Sequence, residues 1–194
     1  MNLPARNHPV LDAFHPAVRA WFQHRFATVT AAQAQAWPLI RSGQSLLVAA
    51  PTGSGKTLTA FLAVLDELFT QALHAGGELP EQTLVVYVSP LKALSNDIQL
   101  NLQAPLAGIS AELAALGLPT PTLRTAVRSG DTPQKERAAM RRQPPHILVT
   151  TPESLYLMLG SQMHETLKHL ETVIVDEIHS LAPTKRGAHL SLSL

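Results

Sequence analysis

Cysteine is absent from this 194-residue chain, which excludes disulfides, thiolate metal sites and a cysteine nucleophile. Aromatic residues make up 5%, so the core has to be built from Leu, Val, Ile and Ala. Charged residues make up only 15% against 45% hydrophobic, a balance that argues against wholesale disorder. Neither sign of charge is in excess: Lys and Arg number 15, Asp and Glu 14, for a net charge of +1. No global basic field therefore advertises nucleic acid, and such a partner would have to be gripped by local residues and backbone groups. No stretch reaches the roughly 18 uninterrupted apolar residues of a membrane helix. The N-terminus, MNLPARNHPVLDAFHP, has no apolar signal-peptide core. A soluble, cytoplasmic protein with no membrane partner is expected. The length suits one domain with a real core and lies near the lower limit for two.

What the chain does have is alternation. Residues 16–26 place Val18, Phe22 and Phe26 on one helix face, with Pro16 suited to its first turn. Residues 30–40 read as a second helix with Thr30 as N-cap and Pro38 straining its late turns. The apolar run SLLVAA (45–50) reads as a strand, followed by a helix from Thr57 to about Ala72. A second strand is expected at 83–89, then a helical stretch over 91–117 interrupted at Pro105. A third strand at 122–129 leads to a polar helix beginning near Thr132, with Pro133 at its first position. HILVTT (146–151) is the fourth strand, PESLYLML the helix after it, and LETVIVDEIHSL (170–181) contains the fifth strand. Most strands are apolar throughout rather than striped, which argues for an α/β fold with an open, mainly parallel sheet covered on both faces. The apolar positions of GAHLSLSL run into the last residue, so a truncation is expected there.

The first strand leads into Pro51-Thr52-Gly53-Ser54-Gly55-Lys56-Thr57, and an amphipathic helix follows. Gly53 and Gly55 would let the backbone fold round phosphate oxygens with its N–H groups inward, and the helix N-terminus adds its positive end. Lys56 would contact the β and γ phosphates and the Thr57 hydroxyl would ligate Mg²⁺. Ala50 stands where the commonest form of this loop has its first Gly. TVIVDEIH supplies the second half. Asp176 ends an apolar strand, where open α/β sheets place active groups, and would hold Mg²⁺ directly or through water. Glu177 could orient and deprotonate an attacking water. The two motifs together imply a Mg²⁺-dependent NTPase. For His179, three positions on, a role in coupling fits better than metal binding, because no second His or Cys stands at ligand spacing beside it.

Three further loops follow successive strands. SPLKALSND puts Ser89, Pro90, Lys92 and Ser95 on the same sheet edge as the phosphate loop. RSGDT follows the third strand and TTPESL the fourth, where Thr151 can cap a helix whose first position is Pro152. Each alone reads as a cap or turn, but three hydroxyl-rich loops in series suit a track for a single-stranded nucleic-acid backbone.

On TAAQAQAWPLI, APTGSGKTLTAFL, YVSPLKALSNDIQLNL, VRSGDT, PPHILVTTPESLYLML, VIVDEIHSL and the tail KRGAHLSLSL, the chain resembles superfamily 2 helicases of the DEAD/DEAH type, and within them the Lhr (large helicase-related) group. The resemblance spans about residue 14 to the end. It implies a RecA-like P-loop domain over residues 30–194, incomplete, after a helical lead-in at 1–29. It also implies ATP-driven 3′-to-5′ translocation on single-stranded DNA, a DNA-repair role, and displacement of RNA from RNA–DNA hybrids. Carried over by position, Gln33 corresponds to the adenine-reading Gln, whose amide both donates and accepts. Phe22 and Phe26 are either adenine-stacking rings or core, and Trp37 packs the Gln33 helix. Lys92, Arg128, Thr132 and Thr151 match loops that face DNA, although Arg128 could instead pair with Asp131. The cofactor-binding set is Gln33, Ala50, Pro51, Thr52, Gly53, Ser54, Gly55, Lys56 and Thr57, with Lys56, Asp176, Glu177 and His179 at the reacting phosphate and Thr57 and Asp176 on the metal. Pro90, Lys92, Ser95, Arg128, Thr132 and Thr151 form the nucleic-acid set.

The family pattern also calls for a further strand with a Ser-Ala-Thr-like motif, a second RecA-like domain supplying arginine fingers, and a winged-helix domain. None of these is found in the sequence, so the chain alone is expected to bind nucleotide without turning it over. Two other readings stand beside this one: a superfamily 2 protein acting on RNA, and a catalytically silent nucleotide-binding module.

Overall fold

A computed structural model describes residues 8–51, 54–90 and 92–194, with 92–101 described by backbone alone. The chain divides into two units, Met1–Glu78 with Ala104–Pro121, and Leu79–Gln103 with Thr122–Leu194.

The first unit is helical. A 3-10 turn over Pro9–Ala13 leads to α1 (Pro16–Arg25), α2 (Ala31–Arg41) and α3 (Lys56–His74), joined by the later part of α4 (Lys92–Ala115). His15 caps α1, its Nδ1 accepting from the Ala17 N–H, and Pro16 fills the first position, where no N–H is needed. Phe22 and Trp37 are fully buried and meet edge to face, 5.4 Å between ring centres. Trp37 Nε1 donates to the Thr59 carbonyl at 2.9 Å, tying α2 to α3. Phe22 and Trp37 are therefore core residues, and the half-buried Phe26 packs on Phe22 and Trp21. Asp66 on α3 is buried, accepting from His15 N at 2.7 Å and from Arg41. Gly108 on α4 lies against Trp21, whose ring would stand 2.2 Å from any added Cβ.

The second unit holds a four-stranded sheet, β1 (Val85–Val88), β2 (Thr125–Arg128), β3 (Ile147–Thr150) and β4 (Thr172–Val175), in the order β2-β3-β1-β4. Every pairing is parallel, so the connections are helical crossovers, as the alternation predicts. The central strands β1 and β3 are wholly buried. Helices α5 (Gln134–Arg142), α6 (Pro152–Leu159), α7 (Ile178–Leu181) and α8 (Lys185–Ser193) flank the sheet, with Met140, Leu155, Met158, Leu181 and Leu190 packed with Val86, Val88 and Leu148.

Three expectations need correction. SLLVAA is not a strand: residues 44–50 are irregular, and Leu47 is 75% exposed. A parallel strand takes its hydrogen bonds from a neighbour, and among the described residues none pairs with this run. Pro105 does not interrupt α4, which runs through it. The proline costs that helix a backbone hydrogen bond, but the buried face of Leu106, Ile109 and Leu113 keeps it helical. The polar helix α5 starts at Gln134 with Pro133 as its N-cap, one residue later than the sequence pattern suggests.

Candidate functional site

The phosphate loop belongs to the first unit. Gly55 caps α3 with φ +80°, a conformation that side chains resist. A Cβ at this position would also meet Gln33 Nε2 at 3.0 Å. Ser54 N donates to Pro51 O at 3.2 Å, closing the turn, and Thr59 Oγ1 donates to Gly55 O at 2.8 Å. The Lys56 ammonium lies in the mouth of the loop, donating to the carbonyls of Ala50 and Pro51. Thr57 is half-buried in the first turn of α3. Thr52 and Gly53 lie outside the described residues.

Gln33 comes to this loop from α2. It forms a capping box with Thr30, its Oε1 accepting from Thr30 N at 2.9 Å while Thr30 Oγ1 accepts from Gln33 N. That fixes the amide so that its NH₂ end stands beside Gly55. The carbonyl expected to read a base is thus engaged in capping, which leaves the NH₂ as the group that can donate.

The acidic pair belongs to the second unit. Register sets Arg128, Thr150, Val88 and Val175 side by side as the last residues of β2, β3, β1 and β4. The next residue of each chain segment, Ser129, Thr151, Ser89 and Asp176, therefore begins a loop at one and the same sheet edge. Asp176 Oδ1 accepts from the Glu177 N–H at 2.8 Å and Oδ2 accepts from the Tyr87 hydroxyl. Glu177 has φ +52°, and among the described residues it is the one non-glycine with positive φ. Its carboxylate meets His179 Nε2 at 3.2 Å. The sequence pattern presents Tyr87 only as a member of the strand expected at 83–89. The available signal was a hydroxyl-bearing ring one residue from the end of an otherwise aliphatic run.

The remaining loops sort differently. Thr151 is 3% exposed, and its Oγ1 caps α6 by accepting from Ser154 N at 3.3 Å. Its side chain is spent on the helix start, so what that loop presents is backbone. Thr132 Oγ1 accepts from Ser129 N at 2.9 Å and shapes the RSGDT turn. Arg137 on α5 braces the same turn, donating to Thr132 O and Gly130 O at 2.7 Å each. Arg128 is half-buried, and burial first, then the nearby Arg137, pulls its proton affinity below the ordinary guanidinium value. Arg128, Gln134, Arg137, Arg141, Ser161 and Gln162 line a cleft of about 290 Å³. Its three guanidinium groups suit a phosphate or another anion. Pro90 is described, whereas the side chains of Lys92 and Ser95 lie outside the described residues.

Residues 30–194 match the family model described as DEAD/DEAH box helicase. The chain belongs to that family. Within it the chain matches the Lhr helicases. It is 51% identical over 185 residues to the Escherichia coli (strain K12) Lhr helicase/uracil glycosylase, covering 94% of this chain and 12% of that protein. It is 50% identical over 181 residues to the ATP-dependent helicase Lhr-Core of Methanothermobacter thermautotrophicus, covering 93% and 21%. The solved structure of Mycobacterium smegmatis helicase Lhr bound to ssDNA and AMP-PNP aligns with a TM-score of 0.87 and 52% identity, over 95% of this chain and 23% of that one. The sheet and helices are thus the RecA-like P-loop architecture of the helicase family, and the chain spans less than a quarter of the length of each of these relatives.

Proposed function

We propose that the chain is the ATP-binding part of a cytoplasmic motor that couples ATP hydrolysis to 3′-to-5′ movement on single-stranded DNA in repair. Residues 30–194 form the motor domain and 1–29 a lead-in. The observation that carries this reading is the shared sheet edge, where Asp176 follows β4 in the same row as Ser89, Thr151 and Ser129. Chemistry and strand contact would then be built on one rigid support. A second RecA-like domain and a winged helix are its intramolecular partners, and an RNA–DNA hybrid is an alternative track.

Lys56, held at two neutral carbonyls, would exchange them for phosphate oxygens, because a charge-assisted hydrogen bond is the stronger one. Thr57 in the first unit and Asp176 in the second each carry a hard oxygen of the kind Mg²⁺ takes, and each Asp176 oxygen keeps a lone pair beyond its hydrogen bond. When bound, the ion neutralises phosphate charge at the reacting group. Among the described residues no cluster of three or more His, Asp or Glu forms. Glu177 takes the proton of the attacking water, and His179 orients the Glu177 carboxylate.

The test pairs Glu177→Gln with Asp176→Asn in the polypeptide at its native length, reading nucleotide dissociation constants and DNA-stimulated turnover. Removing a general base typically costs about 10² to 10⁴ in rate. Glu177→Gln should lose turnover on that scale and keep ATP affinity within a few fold, whereas Asp176→Asn should weaken Mg²⁺-dependent nucleotide binding as well. Near-normal turnover by Glu177→Gln would remove Glu177 from the chemistry.

A further inference from the structure

Arg186, in the first turn of α8, joins three of the loops at the functional edge of the sheet. Its Nε donates to Glu153 Oε1 at 2.7 Å, and its Nη1 donates to the Pro90 carbonyl at 3.0 Å. Glu153 sits in the first turn of α6, two residues after Thr151, and Pro90 follows Ser89 at the end of β1. The third loop is the one Arg186 itself extends, since α7 and α8 follow Asp176 and Glu177 without a break beyond a short turn.

Two local features make that third connection stiff. Thr184 caps α8, its hydroxyl and carbonyl both accepting from Gly187 N. Gly187 allows the start of α8 to press on the end of α7, where an added Cβ would stand 2.4 Å from Leu181 O. Leu181, Leu190, Leu155 and Met158 pack in one cluster, so α7, α8 and α6 share a core. This packing makes a short path from the backbone at Glu177 to Arg186, whose side chain contacts the segments that follow β1 and β3.

We propose that Arg186 is a positioning residue that couples the nucleotide state read by the Asp176–Glu177 segment to the grip of the Pro90 and Thr151 loops on nucleic acid. The inference rests on the motor reading above. Arg186 acts through others: among the described residues its side-chain partners are Glu153 and the Pro90 carbonyl. Its planar fork serves two acceptors at once, a carboxylate and a carbonyl, which a lysine ammonium cannot match in geometry. A half-exposed ion pair contributes little to folding, so its removal should be read in coupling rather than in stability.

The experiment uses the polypeptide at its native length and compares Arg186→Ala, Arg186→Lys and Glu153→Gln with the unmodified protein. Four quantities are measured: basal ATP turnover, turnover saturated with single-stranded DNA, DNA affinity with and without ATP and Mg²⁺, and melting temperature. Coupling between sites typically amounts to about 5- to 150-fold in affinity. Arg186→Ala should lose DNA stimulation, and the effect of ATP on DNA affinity, by a factor in that range. Basal turnover and nucleotide-free DNA affinity should stay within about threefold, and melting should be unchanged. Arg186→Lys should fail to rescue, and Glu153→Gln, which keeps the Pro90 contact, should fall between. Full DNA stimulation in Arg186→Ala would overturn the proposal, as would a loss that Arg186→Lys restores completely. Absence of DNA stimulation in the unmodified protein would instead overturn the motor reading.

Discussion

Acidifying the protein from pH 7 to pH 4 carries His146 through its titration, in a place where the fold resists the extra proton. His146 stands immediately before β3, 1% exposed, with Nδ1 accepting from the Arg124 N–H at 3.1 Å. Its carbonyl accepts from Leu84 N and Val85 N, and its own N–H donates to Arg124 O, so it joins the entries of β1, β2 and β3. Burial first, and the Arg124 guanidinium second, push the imidazole down from 6.5 to about 4, against a smaller opposing effect of the Pro80 carbonyl. Because the folded state binds this proton less readily than the unfolded chain, the stability contributed by neutral His146 is complete above pH 6.5. It declines as pH falls below that value and is fully lost below about pH 4. At about 1.4 kcal/mol per pH unit, the interval amounts to about 3 kcal/mol, a large share of an ordinary domain's stability. Urea unfolding at pH 7, 5 and 4 should be compared with that of His146→Gln, which cannot charge. The variant should be the less stable of the two at pH 7. The difference should move in its favour by about 3 kcal/mol at pH 4. Parallel pH profiles for the two proteins would refute the reasoning.

Two further outcomes concern the functional edge. Tyr87→Phe removes only the hydroxyl that donates to Asp176, and a hydrogen bond to a charged group contributes about 1.5–3 kcal/mol. Mg²⁺-dependent nucleotide affinity should fall by about tenfold or more, while DNA affinity in the absence of nucleotide, measured by anisotropy, stays unchanged. Arg141→Gln removes one cation from the arginine-lined cleft. If that cleft holds a phosphate of the strand, the slope of log affinity against log salt should drop by about 0.7 for single-stranded DNA. An unchanged slope would assign the cleft to another anion.

What could be read in advance follows from how local each signal is. The glycine-bearing phosphate loop, the Thr30 cap and Asp176 at a strand end are short-range patterns, and the parallel sheet follows from apolar strands separated by helices. SLLVAA carried as good a strand pattern as residues 85–88, yet a strand is made by its neighbour, and periodicity does not name one. Pro105 was outweighed by a buried face that only packing reveals. Thr151 was legible as a helix cap, whereas Gln33 was legible only as a hydrogen-bonding amide, not as one whose carbonyl capping would engage. Tyr87 and Arg186 were unreadable for a different reason. Each acts on a residue some 90 positions away, Tyr87 on Asp176 and Arg186 on Pro90.

Glu177 joins these levels. Left-handed backbone costs a residue with a side chain about 1–2 kcal/mol, and it persists only where the surroundings impose it. Here Asp176 Oδ1 holds the Glu177 N–H, while the N–H and hydroxyl of Ser180 both donate to its carbonyl at 2.8 and 2.9 Å. The peptide groups on either side of Glu177 are thus fixed by side chains and backbone that belong to the acidic motif itself. A solvated residue at an ordinary helix start would relax to right-handed geometry, since nothing would oppose it. The left-handed residue stands at the step from β4 to α7, which begins at the next position, Ile178. Two carboxylates pointing the same way at adjacent positions would repel and compete for one partner. With Asp176 anchored to Tyr87 and the Glu177 carboxylate on His179, the two acids have separate partners, as the proposed division into a metal-binding acid and a water-activating base requires.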